Sequence, residues 1–125
     1  MIIATGIDIV DISRLEESFE RSGDLFRDRI FTEVEIAYCE RRARRFASYA
    51  ARFAAKEATM KALGTGWAEG VGWRDIEVVS QENGKPTLKL SGRALELFQK
   101  MGAWKAHLTL SHSNDLAIAQ VILEA

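Results

Sequence analysis

The chain has 125 residues, the length of one domain with one core. Its 17 basic and 18 acidic residues leave a formal charge of -1, and 47% of residues are apolar; this excludes a strongly basic nucleic-acid binder and a disordered acidic chain. A single cysteine, Cys39, excludes an internal disulfide and a cysteine-rich zinc site and fits a reducing, cytoplasmic setting.

No apolar run approaches the ~18–20 residues of a membrane span, and MIIATGIDIVDI has no basic flank and carries Asp8 too early for a secretory signal. The average charge conceals segregation. Nine of the 11 arginines fall between Arg14 and Arg52, and Arg41, Arg42, Arg44 and Arg45 stand almost side by side.

Residues 2–10 predict a strand, with Ile3, Thr5, Ile7 and Ile9 on one face and Ala4, Gly6, Asp8 and Val10 on the other. The second face is small enough for another element to approach the backbone closely. A helix is predicted over 11–22 from the spacing of Ile12, Leu15 and Phe19, with Gly23 as its stop. Residues 23–31 are expected to be a connector with Leu25, Phe26, Ile30 and Phe31 turned inward. Thr32 followed by Glu35 is a capping-box pattern, predicting a helix from there to about Arg42 or Arg45.

The alanine-rich segment from Phe46 to Leu63 carries the strongest helical signal and stops at Gly64. A glycine-rich loop over 64–73 follows. Strands are predicted over 75–80 and 86–91, around the turn Glu82-Asn83-Gly84-Lys85. A helix over 92–101 precedes a second hairpin, 106–112 and 115–123, across Ser113-Asn114. This order predicts one α+β domain over 1–125, with a largely antiparallel sheet and a long central helix.

Several residues could carry chemistry. Asp8 sits mid-strand among isoleucines, where a bare carboxylate is costly to bury. It either accepts hydrogen bonds from a turn or an arginine, or binds a metal. Glu57 and Lys61 lie four apart on one helix face, which is also the spacing of an exposed ion pair of ~0.2–0.5 kcal/mol. Glu57, however, lies between Ala54 and Ala58 with Phe53 one turn earlier, a small-residue face suited to packing. If that face meets the first strand, Asp8 and Glu57 converge. Two carboxylates with open positions suit Mg²⁺ completed by a substrate phosphate, with Lys61 as a point cation.

Gly64 and Gly66 follow a helix C-terminus, whose dipole disfavours anions, so a glycine stop is the simpler reading. His107 and His112 face opposite sides of a regular strand, which argues against joint metal ligation. Cys39 is expected to pack as a small hydrophobe, and Trp67, Trp73 and Trp104 as core or interface residues. The Arg41–Arg45 cluster is either a solvated helix end or a binding surface. Arg14 and Arg21, seven apart, share one helix face.

GIDIVDISRLE and RFAAKEATMKALGTG together resemble the two signature motifs of the bacterial holo-acyl-carrier-protein synthases, the short 4'-phosphopantetheinyl transferases. The resemblance continues through FTEVEIAYC, NGKPTLKLSG and LTLSHSNDLAIAQVILE, so it spans essentially the whole chain. It implies that family's α+β fold and a role in fatty acid biosynthesis. The implied reaction moves the 4'-phosphopantetheine arm of coenzyme A to a serine of apo acyl carrier protein, leaving adenosine 3',5'-bisphosphate. Asp8 and Glu57 match the Mg²⁺ ligands, and Lys61 matches the lysine beside the pyrophosphate. Gly64, Asn83, Gly84, Pro86 and His107 fall where relatives contact the nucleotide. The resemblance also implies a homotrimer with active sites between subunits. Acyl carrier proteins are acidic, which makes Arg14, Arg21, Arg44 and Arg45 candidate docking residues. The competing reading is a non-catalytic, arginine-rich module holding an acidic protein or nucleic acid. It accounts for the arginines but not for the carboxylates and lysine.

Overall fold

The computed structural model describes residues 1–64 and 69–125; Gly66 and Trp67 lie outside the described residues. Strand β1 (Ile2–Asp11) runs without a loop into helix α1 (Ile12–Ser22), followed by α2 (Asp24–Ile30), α3 (Glu33–Glu40) and α4 (Arg45–Leu63). A 3-10 turn (Trp73–Asp75) leads into the hairpin β2 (Ile76–Ser80) and β3 (Pro86–Leu90), then α5 (Gly92–Lys100) and the hairpin β4 (Lys105–Ser113) and β5 (Leu116–Glu124). The sheets are a three-stranded one in the order β1-β5-β4 and a two-stranded one of β2 and β3. All pairings are antiparallel, so the architecture is the expected α+β one.

Residues 23–31 are not a connector. Gly23, at φ 55°, turns the chain between two helices, and residues 24–30 wind into α2. Helical spacing sends Ile30 into the core and Leu25 outward, where it is 82% exposed rather than tucked in. Helix α3 begins at the predicted capping box, with Thr32 and Glu35 exchanging both hydrogen bonds. It ends at Glu40, short of the arginines, because Arg41 and Arg42 turn tightly onto the carbonyls of Tyr38 and Cys39. Trp73 is buried, whereas Trp104 is 67% exposed.

Helix α4 is the centre of the molecule, with 13 of its 19 residues buried. One side meets the three-stranded sheet and the other meets an aromatic layer. In that layer Phe19 lies 4.7 Å from Tyr49 and 5.3 Å from Phe46, centroid to centroid, and Phe53 stacks on Trp73 at 5.1 Å. A fully buried ion pair, Lys56 with Glu35 at 2.8 Å, ties α4 to α3. The same ammonium donates to the carbonyls of Trp73 and Ile76, and the same carboxylate accepts from the Val78 N–H. Neither charge is left without partners, the condition for tolerating such a pair in a core.

The two faces of the three-stranded sheet differ. The inner face carries Gly6, Ala117, Ala119 and Val121, all buried. A Cβ on Gly6 would stand 1.9 Å from the Ala58 carbonyl oxygen, so glycine alone admits α4 at this distance. On the outer face Ile7 is 55% and Ile9 58% exposed. The outer face is continued by Ile118, Gln120 and Ile122 on β5, with Gln120 directly between Ile7 and Thr109.

Candidate active site

The close approach at Gly6 brings Asp8, two residues on and on the same face, to the C-terminal half of α4. Lys61 Nζ donates to Asp8 Oδ1 and to the Ile7 carbonyl, both at 2.9 Å. Glu57, one helical turn before Lys61, is half-buried beside them. Its carboxyl is held above the ordinary range, first by burial and then by the Asp8 charge, with Lys61 acting in opposition. Two mutually repelling carboxylates with one neighbouring ammonium form a site that gains from a further cation.

Asp8 and Glu57 open into a cleft of about 530 Å³. Its far wall is α1, which contributes Arg14, Leu15, Glu17, Ser18 and Arg21, and Phe26 and Phe53 supply apolar lining. Arg14 is largely exposed, 3.7 Å from Asp11, and Arg21 reaches the Ser18 hydroxyl at 3.4 Å. The sequence-predicted carboxylates and first two arginines therefore share one cavity, and Lys61 is held beside it through Asp8. Glu17 and Ser18 were not singled out from the sequence, although their spacing from Arg14 and Arg21 puts them on the same helical stripe. Among the described residues no three or more His, Cys, Asp or Glu side chains converge as a metal cage. Two carboxylates are nonetheless the protein share that Mg²⁺ ordinarily takes, with waters and substrate phosphate completing its shell.

The other expected site residues lie elsewhere. Pro86 and His107 line a second hollow of about 400 Å³ with Gln81, Lys85, Thr87 and Lys105. Asn83 and Gly84 form the turn leading into it, where the Asn83 side chain accepts from the Lys85 N–H at 3.0 Å and Gly84 takes φ 88°. His107 Nε2 lies 2.8 Å from a Glu124 carboxylate oxygen, and that carboxyl is pulled below its ordinary range by the contact. Gly64 caps α4 in the left-handed region at φ 77°, as a glycine stop does.

Arg44 and Arg45 are outside both cavities and already engaged. Arg44 reaches His112 Nδ1 at 3.4 Å and the Asn114 carbonyl at 3.3 Å, and Arg45 pairs with Glu40 at 3.0 Å. Cys39 is fully buried and its thiol is pushed up to about 12, chiefly by burial, which makes it an inert packing residue.

The profile of the 4'-phosphopantetheinyl transferase superfamily matches residues 4–121. A protein named holo-[acyl-carrier-protein] synthase from Solibacter usitatus is 52% identical over 124 residues, covering 99% of each chain. The crystal structure of a holo-[acyl-carrier-protein] synthase from Neisseria meningitidis superposes with a TM-score of 0.90 at 31% identity, covering 100% of both chains. That of Helicobacter pylori, in complex with coenzyme A, superposes with a TM-score of 0.84 at 31% identity, covering 96% of this chain and 99% of that one.

Proposed function

Because the chain belongs to the 4'-phosphopantetheinyl transferase superfamily, we propose that it is a holo-acyl-carrier-protein synthase acting in the cytoplasm as one domain over residues 1–125. It transfers the 4'-phosphopantetheine arm of coenzyme A to a serine of an apo acyl carrier protein. The observation that carries this reading is the convergence of Asp8 and Glu57 in a cleft walled by Arg14 and Arg21, with Lys61 paired to Asp8 beside it. Full-length relatives bearing that enzyme name support it.

The serine hydroxyl gives its proton to solvent water as its oxygen bonds to the phosphorus carrying the pantetheine arm, and the pyrophosphate P–O bond breaks to release adenosine 3',5'-bisphosphate. No covalent enzyme intermediate is needed, so the protein's task is alignment and charge stabilisation. Asp8 and Glu57 hold Mg²⁺. When bound, that ion supplies charge neutralisation at the coenzyme A pyrophosphate. Lys61 is half-exposed and anchored through Asp8 and a backbone carbonyl, so it can stay beside the carboxylates while its remaining N–H faces phosphate. Arg14 and Arg21 meet the acidic carrier protein, acting mainly on encounter and orientation. Arg44 and Arg45 extend that basic surface beyond the cleft.

The nucleotide end falls to Asn83, Gly84, Pro86 and His107. Asp8 lies on the inner face of the sheet, opposite Ala119, and His107 on the outer face, opposite Ile122. One coenzyme A molecule touching both within a single chain would have to wrap around a sheet edge. A site completed by a second copy avoids this, and the exposed isoleucines of the outer face offer the surface for assembly into a homotrimer.

Incubation with coenzyme A, Mg²⁺ and apo acyl carrier protein, read by intact mass, tests the reading. The expected result is a phosphopantetheine-sized mass gain on the carrier that chelation abolishes. No gain across several carrier proteins overturns it; carrier binding without gain and indifferent to Mg²⁺ favours the arginine-rich module instead.

A further inference from the structure

Helix α1 is the wall of the cleft opposite the carboxylates, and nothing within its own sequence caps it. Asp11 stands at the N-cap position, yet its side chain makes no cap hydrogen bond. The cap comes from 102 residues away, out of the turn between β4 and β5. The Ser13 N–H donates to Asp115 Oδ1 at 3.1 Å, and the Ser13 hydroxyl donates to Asp115 Oδ2 at 2.6 Å. The Ile12 N–H donates to the Asp115 carbonyl at 2.8 Å. One residue thus satisfies the first two backbone donors of the helix and places a carboxylate at its positive end.

The turn that presents Asp115 is itself held. Asn114 takes φ 53°, a left-handed conformation that asparagine tolerates better than most residues. Its carbonyl accepts from Arg44, just before α4. The start of α1 is therefore clamped to the hairpin, and the hairpin to the start of α4. The clamp sits four and five residues beyond Asp8 and immediately before Arg14, at a junction with no connecting loop. A change in the angle at which α1 leaves the strand would swing Arg14 and Arg21 relative to Asp8 and Glu57, while leaving the carboxylates in place on β1 and α4.

We propose that Asp115 is a positioning residue for carrier-protein recognition: it sets the angle of α1, and so the distance between the docking arginines and the reacting centre. This inference rests on the transferase reading above. It assigns to the β4–β5 turn a role in selecting the protein substrate, without contact to either substrate.

The test compares wild type with Asp115→Ala, Asp115→Asn and Ser13→Ala, in steady-state turnover with each substrate varied in turn and in amide exchange at Ser13. Loss of an N-cap corresponds to a factor on the order of five. For Asp115→Ala, KM for the apo carrier protein rises by about that factor, KM for coenzyme A stays within about twofold, and the Ser13 amide loses protection. Asp115→Asn keeps one acceptor for the Ser13 N–H and falls between Ala and wild type. Unchanged carrier KM in Asp115→Ala, an equal rise in both KM values, or Asn no better than Ala overturns the inference. If Asp115→Ala does not fold, Ser13→Ala decides: it removes only the 2.6 Å bond, and a carrier KM equal to wild type overturns the inference. A wild-type protein without turnover instead overturns the transferase reading. The inference is then scored on carrier Kd and Ser13 exchange, and absence of carrier binding overturns both.

Discussion

The two faces of the three-stranded sheet are made by the same alternating strands, yet they solve opposite problems. On the inner face side chains shrink to Gly6, Ala117 and Ala119, and α4 comes close enough for its backbone to touch β1. On the outer face they grow to Ile7, Ile9, Ile118 and Ile122, and among the described residues no element buries Ile7 or Ile9. The inner face trades apolar bulk for proximity, which is how Asp8 reaches Lys61 and Glu57. The outer face keeps bulk exposed, which a monomer in water would have reason to lose. On the proposed reading, chemistry within one chain and assembly between chains fall to alternate residues of one strand.

The largest expected effect lies on the inner side. Glu57→Gln keeps the shape of the side chain and removes one of the two charges proposed to hold Mg²⁺. Turnover should fall roughly 1,000-fold with the circular dichroism spectrum unchanged; near-normal turnover removes Glu57 from the metal site. Gly6→Ala comes next. Its Cβ has no room beside the Ala58 carbonyl, and backbone cannot swing aside as a flexible side chain can. The helix must shift by about an ångström, which should cost roughly 100-fold in turnover through misplacement of Glu57 and Lys61. A Gly6→Ala enzyme with wild-type kcat would mean that the close approach does not set the site.

On the outer side, Ile7→Glu should leave the fold intact, because the residue is already 55% exposed. It should convert the proposed homotrimer to monomers in light scattering and reduce activity with it. Leu25→Glu is the matched control: it is more exposed, at 82%, but stands on α2, away from this face. Equal loss of assembly in both, or in neither, would break the distinction between the faces.

What the sequence made legible follows from the range of each interaction. Periodicity and the Thr32–Glu35 capping box are local, and the helices they mark start within a residue of the predicted positions, although α3 ends sooner than expected. The glycine stop at Gly64 is local too. Helix α2 escaped because it is two turns long and begins at a glycine with no capping side chain. The carboxylate pair was legible because a small strand face and a small helix face invite each other, whichever residues lie between them. Opposite placement of Asp8 and His107 was not, since it depends on the register of three strands. Nor was the Asp115 cap, which joins residues at the two ends of the chain, nor the Lys56–Glu35 pair, because nothing local distinguishes a buried charge from a solvated one. Arg44 and Arg45 are the converse case: their charge is plain in the sequence, but the partners that already engage it are not.

The smallest effect isolates the electrostatic cost of the inner face. Burial and Asp8 raise the Glu57 carboxyl pKa above its ordinary value. Such a group favours the fold while it is protonated, and that contribution is lost as pH rises through its folded pKa. In the presence of a chelator, wild type and Glu57→Gln should therefore melt together at the acid end, where both side chains are neutral. Above the pH at which Glu57 ionises, the Gln variant should melt higher, since it carries no charge to repel Asp8. Mg²⁺ should invert that order, because it binds the fold only where both carboxylates are present. A wild type that stays the more stable protein across the whole range without Mg²⁺ would mean that Lys61 already neutralises the pair. The inner face would then be a closed ion-pair network, and its gain from a second cation would be lost.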